Sequence, residues 1–362
     1  MRIAIVAGRT GPAESRTTAR LTALAAALTG LGHRVSVSTP LPRPGARPRR
    51  AVPGPVGPGG PGNPEDPLHA TPVFGRALAE VWQDDPPDLV HAGGLDGGLA
   101  ALAATRSLAG RPPLVLERVT ELPAARRTAA TSGAAARLRL LESLLAREGD
   151  LLLARSFAEA QLLRRLGAVS RRVAVVPPAV DTDLFLPRPF ESPPGPPRLL
   201  SLDGGRSPEA VPLLTAALQR LPGVLITIAG GRAGGSRGQL RGLPEVPHDR
   251  VPELLAGTDL VVAVPSPASS GAAVLEAMAC SVPVVAVDSP AVQDLVVDGV
   301  TGVVVPRGRP AALARAVRGL LGDPSLRLAM GIAGADRARA RHSWPRVAGQ
   351  LDRLYPTLHP AG

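Results

Sequence analysis

The stretch at residues 259–306, DLVVAVPSPASSGAAVLEAMACSVPVVAVDSPAVQDLVVDGVTGVVVP, decides the fold. Three short valine-rich runs, DLVVAV, PVVAV and GVVVP, alternate with helix-forming segments at residues 272–280 and 290–297. Strands that are apolar on both faces and separated by helices are what a parallel sheet covered on both sides requires. The first run ends in Pro265-Ser266, a turn of small residues centred on Gly271 follows, and Glu276 lies one turn into the next helix. Glycine lets backbone approach a ligand, free amides at a helix start favour an anion, and a carboxylate can accept hydrogen bonds from two vicinal hydroxyls. Ribose beside a diphosphate combines those features. Glu276 as mere support of a helix start and Gly271 as a plain turn residue fit the local pattern equally well.

The same alternation extends in both directions. Upstream lie the strands RLLSLDGG (198–205) and VLITIAGG (224–231) with helices at 208–220 and 251–257; downstream a helix covers 310–321. Before them, PRPFESPPGPP (187–197) holds six prolines, which neither a helix nor an inner strand tolerates, so it reads as a linker. The N-terminal half repeats the pattern. Strands are expected at 2–7, 34–38, 88–91, 113–116, 150–154 and 172–176. Helices are expected at 16–30, 73–83, 97–108, 124–148 with a break at Ser132-Gly133, and 157–166. A proline- and glycine-rich stretch at 40–67 reads as a long surface loop. The expectation is α/β: two Rossmann-like, doubly wound domains facing each other across a cleft, at 1–186 and 198–341, with a last helix at 342–358 crossing back to the first domain.

Composition narrows the chemistry. The chain has 362 residues, 44% of them hydrophobic, and one cysteine, Cys280, which excludes a disulfide scaffold. The formal charge is +11, and all 41 basic residues are arginine. Without lysine there is no Schiff base and no Walker-type phosphate ligand, while bidentate guanidinium recognition of phosphate remains. The charge suits an acidic partner: a nucleoside diphosphate, an anionic lipid headgroup or nucleic acid. Scattered arginines, seven aromatics and no zinc-ligand spacing argue against nucleic acid. No apolar run reaches the roughly 18 residues of a membrane span without interruption. The apolar segment at 21–31 has strand-like flanks and Glu14 before it, so it reads as a helix within a fold and not as a leader; the expected location is the cytoplasm.

Residues 259–306, with PPAVDTDLF (177–185), DLVH (88–91), GLGHRVSV (30–37) and HSWPRVAGQLDRLY (342–355), resemble the family 4 retaining glycosyltransferases of the GT-B fold. EAMACSVPVV (276–285) and DGVTGVVVP (298–306) carry the resemblance most strongly. It implies that the C-terminal domain binds a nucleotide-sugar donor, UDP- or GDP-linked, that the N-terminal domain presents an acceptor, and that neither a metal nor another cofactor is needed. Glu276 falls on the family's ribose-binding glutamate, with Ser266 and Gly271 beside it. His91 falls on a family histidine at a strand end and faces the cleft if the alternation holds; a packed core or loop histidine fits the pattern equally well.

Three departures stand out. Where the family carries an arginine and a lysine for the diphosphate, this chain has Asp203 and Pro208; Arg206 with the amides of Gly204 and Gly205 either substitutes or is a solvated loop. The first of the family's paired glutamates is replaced by Ala268. The family's Gly-Gly is replaced by Pro290-Ala291, with Asp294 where a glutamate usually follows. His91 and Arg206 are therefore the catalytic candidates, and Glu276, Gly271, Ser266, Gly204 and Gly205 the donor-binding ones. Glu117, Arg118 and Glu121 stand where a second family histidine is absent. The resemblance also implies peripheral contact with anionic membrane through residues 134–148, but the leucines there suit a core-facing stripe better, since an interfacial helix needs a denser basic face. The expected function is sugar transfer from the nucleotide donor with retention. The alternative is a catalytically weakened homologue that acts as a binding or partner-stabilising subunit.

Overall fold

The computed structural model describes residues 1–8, 15–40, 71–117, 119, 133–187, 195–202, 207–230, 236–244, 246–266, 269 and 271–358. The loop expected at 40–67 lies outside them but for Pro40, as do Gly11, residues 124–132, Arg118 and Glu121. The chain divides into two compact units, Met1–Val176 with Ala348–Gly362, and Pro177–Val347. The expected linker at 187–197 thus begins after the point of division. Residues 177–186 go with the second unit because Val180 bridges to Ser343 and Phe185 is buried in that unit's core. Among the described residues no helix is long and apolar enough to cross a membrane.

In the first unit the chain runs β1 (Arg2–Ala7), α1 (Ser15–Gly30), β2 (Arg34–Ser38), α2 (Thr71–Asp84), β3 (Leu89–Gly93), α3 (Gly94–Arg106), β4 (Leu114–Glu117), α4 (Gly133–Glu148), β5 (Leu151–Ala154), α5 (Phe157–Arg165) and β6 (Val173–Val175). The six strands form one parallel sheet in the order β2-β1-β3-β4-β5-β6. Strand β1 is central, with Ile5 opposite Val37 on one side and His91 on the other. Its residues Ile3 to Ala7 are all buried, as a strand covered on both faces must be. The chain leaves β1 toward β2 and returns on the other side for β3, so the switch point lies at the carboxyl ends of β1 and β3. Helix α3 starts there. A Cβ on Gly97 would stand 2.9 Å from the amide of Gly8 and 3.1 Å from the carbonyl of Val6, so only glycine lets this helix approach the strand end so closely.

Helix α4 divides its leucines. Leu138, Leu141 and Leu145 pack on the core, whereas Leu140 and Leu144 stay exposed. The expected core-facing stripe is thus real but does not include Leu144.

The second unit runs β7 (Arg198–Ser201), α6 (Ala210–Leu218), β8 (Leu225–Ala229), β9 (Ser236–Arg237), β10 (Leu240–Leu243), α7 (Val251–Ala256), β11 (Leu260–Ala263), α8 (Ala272–Ala279), β12 (Val284–Val287), α9 (Pro290–Leu295), β13 (Val303–Val305), α10 (Pro310–Gly322), α11 (Pro324–His342) and α12 (Trp344–Leu354), the last continuing past the point of division. The sheet order is β13-β12-β11-β7-β8-β10-β9, parallel except for the short edge pair of β9 and β10. Its switch point lies between β7 and β11. The sequence reading did not anticipate β9, β10 or α11. Helix α11 packs on the end of α8 at Gly331, where a Cβ would collide with the carbonyl of Ser281. Ser281 itself takes the left-handed conformation, φ 59°.

Candidate functional site

The switch point of the second unit gathers the residues of the signature stretch. After β11 the chain passes Val264, Pro265 and Ser266 into a tight turn, in which the amide of Ser269 donates to the carbonyl of Ser266 at 2.9 Å and the amide of Gly271 donates to Oγ of Ser269 at 3.2 Å. Gly271 then takes φ 73°, and its carbonyl accepts from the amides of Val274 and Leu275 to open α8. Two constraints make it glycine: the left-handed backbone, and the side chain of Leu295, into which a Cβ would run. The turn places Glu276 one turn into α8, with its side chain only 5% exposed.

A histidine from elsewhere in the unit meets that carboxylate. Nδ1 of His248, at the start of the turn after β10, lies 3.6 Å from Oε1 of Glu276. The His248 ring rests against Phe185, centroids 5.2 Å apart at an interplanar angle of 55°. Phe185 is fixed in turn by Asp181, whose carbonyl accepts its amide at 2.9 Å and whose Oδ1 accepts the amides of Asp183 and Leu184. This Asp-capped turn is the motif PPAVDTDLF. Nearby, Arg307 ties strand ends together: it donates to Oε2 of Glu209 at 2.7 Å and to the carbonyls of Pro265 and Asp288 at 3.1 and 3.3 Å.

The chemistry open to such a place is binding of a polyhydroxylated anion. A buried carboxylate at a helix start, with backbone amides and an arginine at the strand ends, offers acceptors to hydroxyls and donors to phosphate.

The first unit holds a different polar cluster. His91, fully buried on β3, faces Tyr355 through Nδ1 at 2.7 Å and Oε2 of Glu117 through Nε2 at 3.6 Å. Nη1 of Arg20, on α1, donates to both oxygens of Glu117 at 2.8 and 2.9 Å. Burial, reinforced by the Glu117 charge, pushes the Tyr355 phenol well above its ordinary value. Among the described residues no cluster of acidic, histidine or cysteine side chains could hold a metal ion.

Residues 213–337 match the family model for glycosyl transferases group 1, and residues 18–184 match that for glycosyltransferase family 4. Both halves of the chain are thereby covered.

The chain belongs to the family 4 glycosyltransferases.

Among curated relatives, D-inositol 3-phosphate glycosyltransferase 1 of Catenulispora acidiphila is 32% identical over 256 residues, 61% of this chain and 60% of that one. The D-inositol 3-phosphate glycosyltransferase of Corynebacterium jeikeium is 29% identical over 62% of this chain and 61% of its own length. The matched region thus spans about three fifths of those relatives. Among solved structures, sucrose-phosphate synthase of Thermosynechococcus elongatus is similar with a TM-score of 0.80 at 19% identity, covering 99% of each chain. HepE of Anabaena in complex with UDP-glucose is similar with a TM-score of 0.71 at 19% identity, covering 99% of this chain and 100% of that one. The fold of this family 4 chain is accordingly GT-B, built of two Rossmann-like units.

Of the donor-side residues named from the sequence, the structure brings Ser266, Gly271 and Glu276 into one turn and helix start. Gly204, Gly205 and Arg206 lie outside the described residues, as do Asp203 and Ala268. His91 sits in the other unit, in the buried cluster with Tyr355. Sequence reading missed His248, Phe185 and Arg307. Phe185 lay within a quoted motif, but its meeting with His248 is tertiary and leaves no local trace.

Proposed function

We propose that this family 4 chain transfers a sugar from a nucleoside diphosphate sugar, UDP- or GDP-linked, to an acceptor hydroxyl with retention at the anomeric carbon. The observation that carries the reading is Glu276: a buried carboxylate at the carboxyl-end switch point of the second unit, one turn beyond a helix start that only glycine can open. In this reading Glu276 accepts the ribose hydroxyls. Backbone amides at the start of α8, together with Arg206 and the amides of Gly204 and Gly205, are the donors assigned to the diphosphate.

In the transfer the bond between the anomeric carbon and the phosphate oxygen breaks, its electron pair leaving with the nucleoside diphosphate. The acceptor oxygen bonds to that carbon and gives up its proton to the departing phosphate. Positive charge on the sugar and negative charge on the phosphate grow together, so fixed donors toward the phosphate lower the barrier. No metal or other cofactor is called for. The net charge of +11 suits an anionic acceptor, and the curated relatives named above carry D-inositol 3-phosphate in their names. A cytoplasmic location fits these substrates. Peripheral membrane contact would use exposed Leu140 and Leu144 of α4.

Asp203, Pro208 and Ala268 at positions where the family carries its charged donor-site residues favour a second reading, a weakened homologue that binds without efficient turnover. Release of UDP or GDP from a panel of nucleotide sugars, with polyol phosphates as acceptors, separates the two. Turnover that vanishes in Glu276→Ala supports the enzyme. Binding of nucleoside diphosphate without turnover of any donor supports the subunit.

A further inference from the structure

His248 and Glu276 differ in depth. The carboxylate is 5% exposed and the imidazole beside it 42%. At 3.6 Å the imidazole nitrogen and the carboxylate oxygen are in close polar contact, a little beyond ordinary hydrogen-bond length. The imidazole is not loosely placed. Phe185, buried and held by the Asp181 turn, backs its ring, and the turn His248–Arg250 is closed by the Arg250 amide on the Pro247 carbonyl at 2.9 Å. Segment 177–185 thus backs the ring, and segment 247–250 carries it to the carboxylate.

We propose that His248 is a positioning residue for ribose recognition: with its ring backed by Phe185, it sets the orientation of the Glu276 carboxylate through Nδ1. The inference rests on the donor reading above. A carboxylate has acceptor sites for several partners, so one that faces an imidazole still receives a pair of vicinal hydroxyls. Its orientation then decides whether both hydroxyls are met in line. Losing His248 leaves the carboxylate in place but less well aimed, so the loss falls on ribose and spares the rest of the nucleotide.

Titration calorimetry on the full chain tests this, using whichever of UDP and GDP the wild type binds more tightly and its 2′-deoxy counterpart. The wild type should prefer the ribose form. In His248→Ala the ribose form should weaken on the order of tenfold while the deoxy form barely moves, so most of the preference disappears. His248→Asn, which keeps an N–H near the place of Nδ1, should restore most of it. A preference unchanged in His248→Ala, whether both forms keep their affinity or weaken together, overturns the role of His248 and leaves the donor reading standing. A wild type that binds both forms equally also overturns it. A wild type that binds neither UDP nor GDP overturns the donor reading and this inference with it.

Discussion

The hydroxyl of Tyr355 lies 2.7 Å from Nδ1 of His91, across 264 residues of sequence. Burial keeps the phenol protonated, and the same imidazole brings Nε2 to 3.6 Å from Oε2 of Glu117. His91 thereby joins α1, β3, β4 and the returning C-terminal segment into one buried network. Tyr355→Phe keeps the ring and removes the hydroxyl, leaving Nδ1 buried without that partner. The expected loss is about 1–3 kcal/mol in urea unfolding. The raised phenol value also means that stability falls as pH rises past about 10, where the unfolded tyrosine ionises first, and Tyr355→Phe should flatten that decline. A variant as stable as the wild type at neutral pH would mean that the contact is idle.

His342 provides an acid-side counterpart in the second unit. Its Nδ1 lies 3.0 Å from the Pro178 carbonyl, and burial, joined by the charges of Arg337 and Arg341, pulls its value below the ordinary 6.5 against the opposing effect of that hydrogen bond. The unfolded chain therefore takes up the proton first. This contribution to stability is full above about pH 6.5 and is lost as pH falls below it. Unfolding midpoints at pH 7.5 and pH 5 should diverge less in His342→Asn than in the wild type; an equal divergence would show that His342 does not couple to folding.

The fold was legible from particular runs. Valine-rich segments such as VVAV and GVVVP read directly as buried strands because a parallel strand has no polar face to confuse the pattern. Helix α11 did not, since Gly331, Gly334 and the run of arginines at 337–341 look like punctuation until Ser281 is seen to need the space above Gly331. Strand β10, LRGL, is too short and too polar to read alone. At the site, Ser266, Gly271 and Glu276 were readable because they are close in sequence. His248 and Arg307 were not, for their partners lie 28 and up to 98 positions away and nothing local marks the meeting.

Gly271 and Gly299 separate backbone strain from crowding. Both take positive φ, 73° and 75°, but a Cβ meets nothing within 4 Å at Gly299 and collides with Leu295 at Gly271. Gly299→Ala should cost about 1 kcal/mol, the strain of a left-handed residue. Gly271→Ala should cost more and also weaken nucleoside diphosphate binding, because the start of α8 must shift. Thermal unfolding of the two variants side by side checks the order; equal losses would mean that Leu295 yields freely.

Arg307 ties the ends of β11 and β12 to the residue before α6 through Pro265, Asp288 and Glu209. Arg307→Lys keeps the charge but loses the fork. Nucleoside diphosphate affinity should fall several-fold in this variant with little change in unfolding midpoint. An unchanged affinity would assign Arg307 to the scaffold alone.

The most direct measurement is calorimetric titration of wild type and Glu276→Ala with UDP and with GDP. The account predicts that the wild type binds at least one of them and that the variant, still folded by circular dichroism, weakens that binding by roughly tenfold or more, about 1.4 kcal/mol. Equal affinity in the folded variant, or no binding of either nucleotide by the wild type, would contradict it.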